Sequence, residues 1–350
     1  MNARRIALAV AAAVILFGGV VAVVLAGGGE EEAAPPPETT TSTPPAPTTT
    51  TAPPTYPLTG LPVTDPAIAA RPALMVKVDS TGKALGLQAG ITAADLVYVE
   101  KVEGGATRLA AVFHSTDADV GPVRSARTSD ADLTGNLNRP LYAYSGGAAG
   151  VVDILRGANL VDVGFDVQRG AYQSRGSGVL RLFISTPEFF AFAPEGSGPP
   201  PQLFPYRAPG EAVAAAGAAD SAGVTLGYGG QANTQVRYEA VPEGWARFQD
   251  GAPHFDDSGN RVIPANVIVQ FTEYRDSGFV DVTGSPSPEA VTVGEGEALV
   301  FSGGKVVPAR WSRPDAGAAT TYTDSAGAPI ALTPGRTWIE LAPPGSATTL

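Results

Sequence analysis

Residues 6–26 form an unbroken run of 21 uncharged, mostly aliphatic residues, preceded by Arg4 and Arg5 and followed by Glu30, Glu31 and Glu32. A helix rising about 1.5 Å per residue needs about 20 residues to cross a hydrocarbon core of about 30 Å, so this segment is just long enough to span a bilayer. Its flanking arginines resist translocation, which leaves the C-terminal bulk on the far side. Residues 1–27 are therefore expected to be a single-pass membrane anchor with extracytoplasmic domains behind it. The alternative is a cleaved signal peptide, whose apolar region usually runs about 7–15 residues; cleavage near Gly27 would release a secreted protein. The chain contains no cysteine. Neither a disulfide nor a thioether-linked lipid is then available, and an exported fold must rest on its own core.

Residues 28–57 are dominated by Pro, Thr and Ala, as in Pro44-Pro45-Ala46-Pro47 and Thr48–Thr51. Such a segment cannot bury a core and extends as polyproline II at about 3.1 Å per residue, so it reads as a disordered stalk. Its composition also permits O-glycosylation. The remaining length suits two domains of ordinary size. A net charge of −11 argues against nucleic acid, which demands a basic face, so an anionic ligand would have to be met locally.

Within residues 58–210, the short Val-, Leu- and Phe-rich runs 73–78, 96–102 and 108–113 read as strands. Helices are expected over 124–137 after the Gly121-Pro122 turn, over 148–155 after a strand at 141–144, and from Ser185 or Thr186 with Pro187 in the first turn. Alternation of this kind predicts a mixed α/β domain. A Pro/Gly-rich stretch from Ala193 to Gly210 marks a boundary. Beyond it, residues 222–343 carry short strands with turns, including a two-residue hairpin at Gly303-Gly304, and predict a mainly antiparallel β domain.

Several strings carry a family resemblance. They are Pro57-Leu58-Thr59-Gly60-Leu61-Pro62, Val102-Glu103-Gly104-Gly105, and Gly121-Pro122-Val123-Arg124-Ser125-Ala126-Arg127. In the second half they are Asn266–Val269, the hairpin from Gly303 to Trp311, and Gly335–Ile339. Together these resemble the YerB-like family of envelope proteins of unknown function (DUF3048, N- and C-terminal domains). The resemblance implies an architecture and an envelope setting, and it supplies no catalytic residues. Many relatives look like lipoproteins, whereas this chain lacks the cysteine. Where relatives commonly carry a His-Asn pair before an aromatic-Thr-Ser segment, this chain has Leu180 and Arg181.

The best constellation for binding is Arg124 and Arg127, three apart on the expected helix, with the turn Ser145-Gly146-Gly147 leading into the next helix. Glu103 and Arg108 are candidate supporting residues. Together they predict a site for an anionic cell-envelope component; binding an envelope protein partner is the companion expectation. The bland alternative pairs the arginines with Asp130, Asp132 or Glu103 as structural salt bridges. Glu100 and Glu103 could be imagined as the carboxylates of a cell-wall glycan hydrolase or transferase, but three residues apart on a strand they point to opposite faces. A purely scaffolding role is the third reading. His114 and His254 form no pair at metal spacing, and Asp256–Asn260 reads as a polar turn, so neither a metal nor a cofactor is expected.

Overall fold

Residues 53–350 are described in a computed structural model; the apolar run and most of the Pro/Thr segment lie outside them. Among the described residues no helix is long and apolar enough to cross a membrane. After helix α1 (Pro66–Ala70), the first three predicted strands form as β1 (Leu74–Asp79), β2 (Leu96–Lys101) and β3 (Thr107–Phe113). All six residues of β1 are buried, as befits a strand covered on both faces.

Next come β4 (Asp119–Val120), α2 (Ser129–Gly135), β5 (Leu141–Ala143), α3 (Ala149–Arg156), β6 (Val161–Asp162), β7 (Gln173–Ser174), β8 (Leu182–Ser185) and α4 (Thr186–Phe190). Helix α2 is half as long as the sequence suggests. The backbone groups that would have closed its first turns are committed sideways: Arg124 N donates to Lys77 O at 2.8 Å, Ser145 N to Arg124 O at 2.9 Å, and Ala126 N to Gly146 O at 2.9 Å. Residues 123–126 are thus stitched between β1 and the turn after β5, and Arg124 and Arg127 precede the helix instead of sharing one of its faces.

The second half contributes β9 (Ala219–Asp220), β10 (Gly223–Gly227), β11 (Gln235–Val241), β12 (Gly244–Gln249), β13 (Ala252–Pro253), β14 (Asn266–Phe271), β15 (Tyr274–Val280) and β16 (Pro286–Ala290). It ends with β17 (Gly294–Ser302), β18 (Lys305–Arg313), β19 (Thr321–Thr323), β20 (Thr337–Ala342) and β21 (Ala347–Thr349). Gly303 and Gly304 join β17 to β18 with φ of +55° and +75°, the left-handed pair that a tight primed hairpin turn requires. Along β18, Val307, Ala309, Trp311 and Arg313 are buried while Pro308, Arg310 and Ser312 are exposed, so this end of the sheet has one wet face.

The two sequence segments do not form separate bodies. One sheet runs β19-β18-β17-β14-β20-β2-β3-β1-β5-β6, with β20 parallel to both β14 and β2. The described residues 53–350 fall within a single compact unit. The Pro/Gly-rich stretch expected to mark a domain boundary is itself packed: Leu203 and Phe204 are buried, and Arg207 donates to Ala331 O and Thr333 Oγ1. Folded structure also begins earlier than residue 58, since Thr55 bridges Pro62 and Tyr56 is buried.

Side chains alternate across the central strands. One face (Val76, Val78, Val97, Val99, Leu109, Ala111) meets Tyr238 and Trp245 of the five-stranded sheet β13-β12-β11-β10-β21, and Tyr228 just after β10, in one core. The other face (Met75, Leu96, Tyr98, Ala110, Val112) shares a second core with Leu133 of α2 and Val151 and Leu155 of α3. On that second face the apolar rows give way to charge: Lys77 and Asp79 end β1, Glu100 nears the end of β2, and Arg108 begins β3, with Arg108 in register with both Asp79 and Glu100.

Candidate functional site

The carboxyl ends of the parallel strands β1 and β5 open onto a cavity of about 500 Å³. Crevices at this edge of a partly parallel sheet are where such folds commonly hold ligands. Every candidate residue from the sequence lines it: Arg124, Arg127, Ser145, Gly146, Gly147, Glu103 and Arg108. The opposite wall comes from residues 279–282 and Ser287 of the β15–β16 hairpin. No sequence motif marks that wall: β15 stops at Val280, and Asp281 N bonds Ser285 O at 2.9 Å to make the hairpin tip.

The three guanidinium groups are used differently. Arg124 Nε donates to Asp79 Oδ2 at 2.7 Å, a partner some 45 residues upstream that no local pattern announced. Arg127 Nη2 donates to Glu103 Oε2 at 2.5 Å and its Nη1 to Ala126 O at 2.8 Å. The structural-pair expectation therefore holds for Arg127 and Glu103, with Asp79 replacing the anticipated partners of Arg124. Asp130 plays another part: its Oδ2 accepts from Arg127 N at 2.7 Å and fixes that backbone.

Arg108 is the exception. It is 6 % exposed, its Nη1 reaches only Ser125 O at a long 3.4 Å, and its buried Nε has no partner among the described residues. Burial, and then the charges of Arg127 and Arg124, push its pKa down to about 10, against weaker opposition from Asp79 and Glu103. A cation held in this way is disfavoured by its own surroundings and is compensated by an added anion.

The two carboxylates show the complementary effect. Burial raises both, yet Asp79 is held below the ordinary carboxylate range by the hydroxyl and N–H of Thr81 and by Arg108 and Arg124, and Glu103 by Arg127 and the Ser287 hydroxyl. A carboxylate whose pKa folding lowers stabilises the fold while ionised, so its contribution is complete above about pH 4 and disappears as pH falls through the lowered value. The urea midpoint of the full-length protein should accordingly fall on acidification below about pH 4. Asp79→Asn combined with Glu103→Gln should flatten that fall; an unchanged acid limb would place the titrating groups elsewhere.

Glu100 does not face the cavity with Glu103. It is 1 % exposed and bonded to Lys77 Nζ, which also contacts Asp130 Oδ1 at 2.6 Å, while Tyr142 OH donates to Asp130 Oδ2 at 2.5 Å. Burial raises the Glu100 pKa against the pull of Lys77. The two glutamates therefore lack the shared opening that a hydrolase pair needs. His254 is buried between Arg247 Nη1 (2.7 Å) and Gln88 Oε1 (2.6 Å). Burial, and then the Arg247 charge, push its pKa well below the usual imidazole range. Asp256 accepts from Ser258 N and Asn260 N as a turn residue. No cluster of metal-ligating side chains occurs among the described residues.

The signature of the N-terminal domain of DUF3048, a protein family of unknown function, matches residues 58–189, and that of its C-terminal domain matches residues 224–339. The chain belongs to the DUF3048 family. It is 27 % identical over 302 residues to the Bacillus subtilis (strain 168) protein named "Putative lipoprotein YerB", covering 82 % of this chain and 86 % of that one. The crystal structure of YerB from Bacillus subtilis superposes with a TM-score of 0.71 at 22 % identity, over 85 % of this chain and 99 % of the other. This DUF3048 chain thus shares the YerB fold. Both DUF3048 segments build the cavity, the N-terminal one supplying the arginines and the C-terminal one the overhanging hairpin.

Proposed function

We propose that this DUF3048 protein is an extracytoplasmic, membrane-associated binding protein that holds an anionic component of the cell envelope on Arg108, Arg124 and Arg127. The observation that carries the reading is Arg108, a buried guanidinium to which no carboxylate among the described residues is bonded, at the floor of an open cavity. Phosphate or carboxylate would accept the charge-assisted hydrogen bonds that a guanidinium fork offers. The YerB relative is named a lipoprotein, which supports an envelope setting; with no cysteine in this chain, its attachment is assigned to the apolar run at residues 6–26.

Arg108→Met separates this role from a structural one. Because its environment opposes its charge, removing that charge should leave the thermal midpoint unchanged or raised, while affinity for an anion falls by at least about tenfold, the scale of a lost charge-assisted pair. Isothermal titration of the full-length protein with inorganic phosphate and with acetate reads the affinity, and wild-type binding should weaken as salt rises. A fall in stability of several degrees with unaltered binding would make Arg108 a structural residue, and absence of any wild-type binding would end the anion reading.

A further inference from the structure

A bare anion would leave most of the cavity empty. Its volume of about 500 Å³ lies within the roughly 300–1,000 Å³ of sites that enclose small organic molecules. The wall facing the arginines carries three apolar side chains, Phe279, Val280 and Val282 of the hairpin, beside Asp281 and Ser287, and Val151 of α3 adds to the apolar lining. Val280 is 54 % exposed and Val282 fully exposed, so two aliphatic side chains stand in water at the mouth of a charged cavity, which costs free energy until something covers them.

The hairpin presenting them is positioned firmly. Among the described residues it pairs with no other strand, but its base is fixed by Tyr274 OH donating to Leu341 O at 2.7 Å and by Ala290 N donating to Ser129 Oγ at 2.9 Å. Phe279 lies directly on α3 at Gly150, where an added Cβ would stand 2.2 Å from its ring. At the tip, Asp281 Oδ1 accepts from Thr283 N at 2.8 Å, Thr283 Oγ1 at 2.6 Å and Ser285 N at 2.9 Å. The acidic group on the rim is therefore engaged in holding the turn.

Building on the anion reading above, we propose that the ligand is an amphiphilic anion, with a phosphate or carboxylate head on Arg108, Arg124 and Arg127 and an aliphatic segment lying against Val280 and Val282. The probes that test this are inorganic phosphate against octyl phosphate and acetate against octanoate, each titrated into the full-length protein below its micellar concentration. In at least one pair the alkyl compound should bind at least about tenfold more tightly, the gain expected from two or three buried methylene groups, and the pair that shows the gain identifies the head group. Val280→Ser combined with Val282→Ser should abolish that gain and leave the affinity for the small anion unchanged. Equal affinities within both pairs would overturn the amphiphile and leave the anion site standing, whereas no binding by any of the four would overturn both. A gain that survives the double substitution would also overturn the proposal.

Discussion

Lys77→Met is expected to destabilise the fold by about 3–5 kcal/mol, the cost of breaking a buried ion pair by removing one partner. Lys77, Glu100 and Asp130 have side chains at most 1 % exposed, so water cannot replace the lost ammonium. Two carboxylates would be left facing each other in the core. The damage should spread to the cavity, because Asp130 also receives the N–H of Arg127 and the hydroxyl of Tyr142. Urea unfolding at neutral pH measures the loss, and pH dependence tests its cause. Burial already raises the Glu100 pKa; a carboxylate raised by folding loses stability as pH rises through the folded value and recovers it as pH falls. The deficit of the variant should therefore shrink on mild acidification. Adding Glu100→Gln should restore much of it, as coupled neighbours do in a double-mutant cycle. A loss below about 1 kcal/mol, independent of pH, would mean that the three charges are not coupled as their geometry indicates.

A chain ending near residue 210 should not reach a cooperative fold, although that boundary is where composition and family signatures both divide. Strand β20 lies between β14 and β2, with Leu96 opposite Thr337, Val97 opposite Trp338, Tyr98 opposite Ile339 and Val99 opposite Glu340. Removing it leaves β2 as an unpaired apolar edge, a template for aggregation. It also strips the small sheet from the first core, along with Tyr228, whose OH contacts Val99 O at 3.3 Å and donates to Glu340 Oε2 at 2.5 Å. The intact protein should unfold in one calorimetric transition. Two resolved transitions, or a well-dispersed NMR spectrum from the N-terminal fragment alone, would show that the segments fold independently after all.

Local chemistry made much of this protein legible in its sequence. The runs that became β1, β2, β3 and β14 are short, β-branched or aliphatic, and bounded by turn residues, so their state is decided within a few positions. Pro187 opening α4 and the Gly303-Gly304 hairpin depend on backbone geometry that particular residues impose. The same holds for the glycine turn at 146–147, and the cavity residues were identifiable because arginines and a strand-to-helix turn are locally conspicuous.

Tertiary structure alone decided how those residues are used. Nothing near Arg124 indicates that its amide bonds Lys77 O and its side chain Asp79, yet those contacts remove it from a helix and aim it into the cavity. The separation of the roles of Glu100 and Glu103 likewise rests on Lys77 and Arg127, reached through strand register and a distant backbone path. The insertion of β20 beside β2, and the hairpin that carries Phe279, Val280 and Val282 over the arginines, join residues more than 100 positions apart. Periodicity and turn chemistry determine what each segment becomes, because those preferences act over a few bonds; which segments meet is settled by burial of the assembled faces, a property no segment possesses alone.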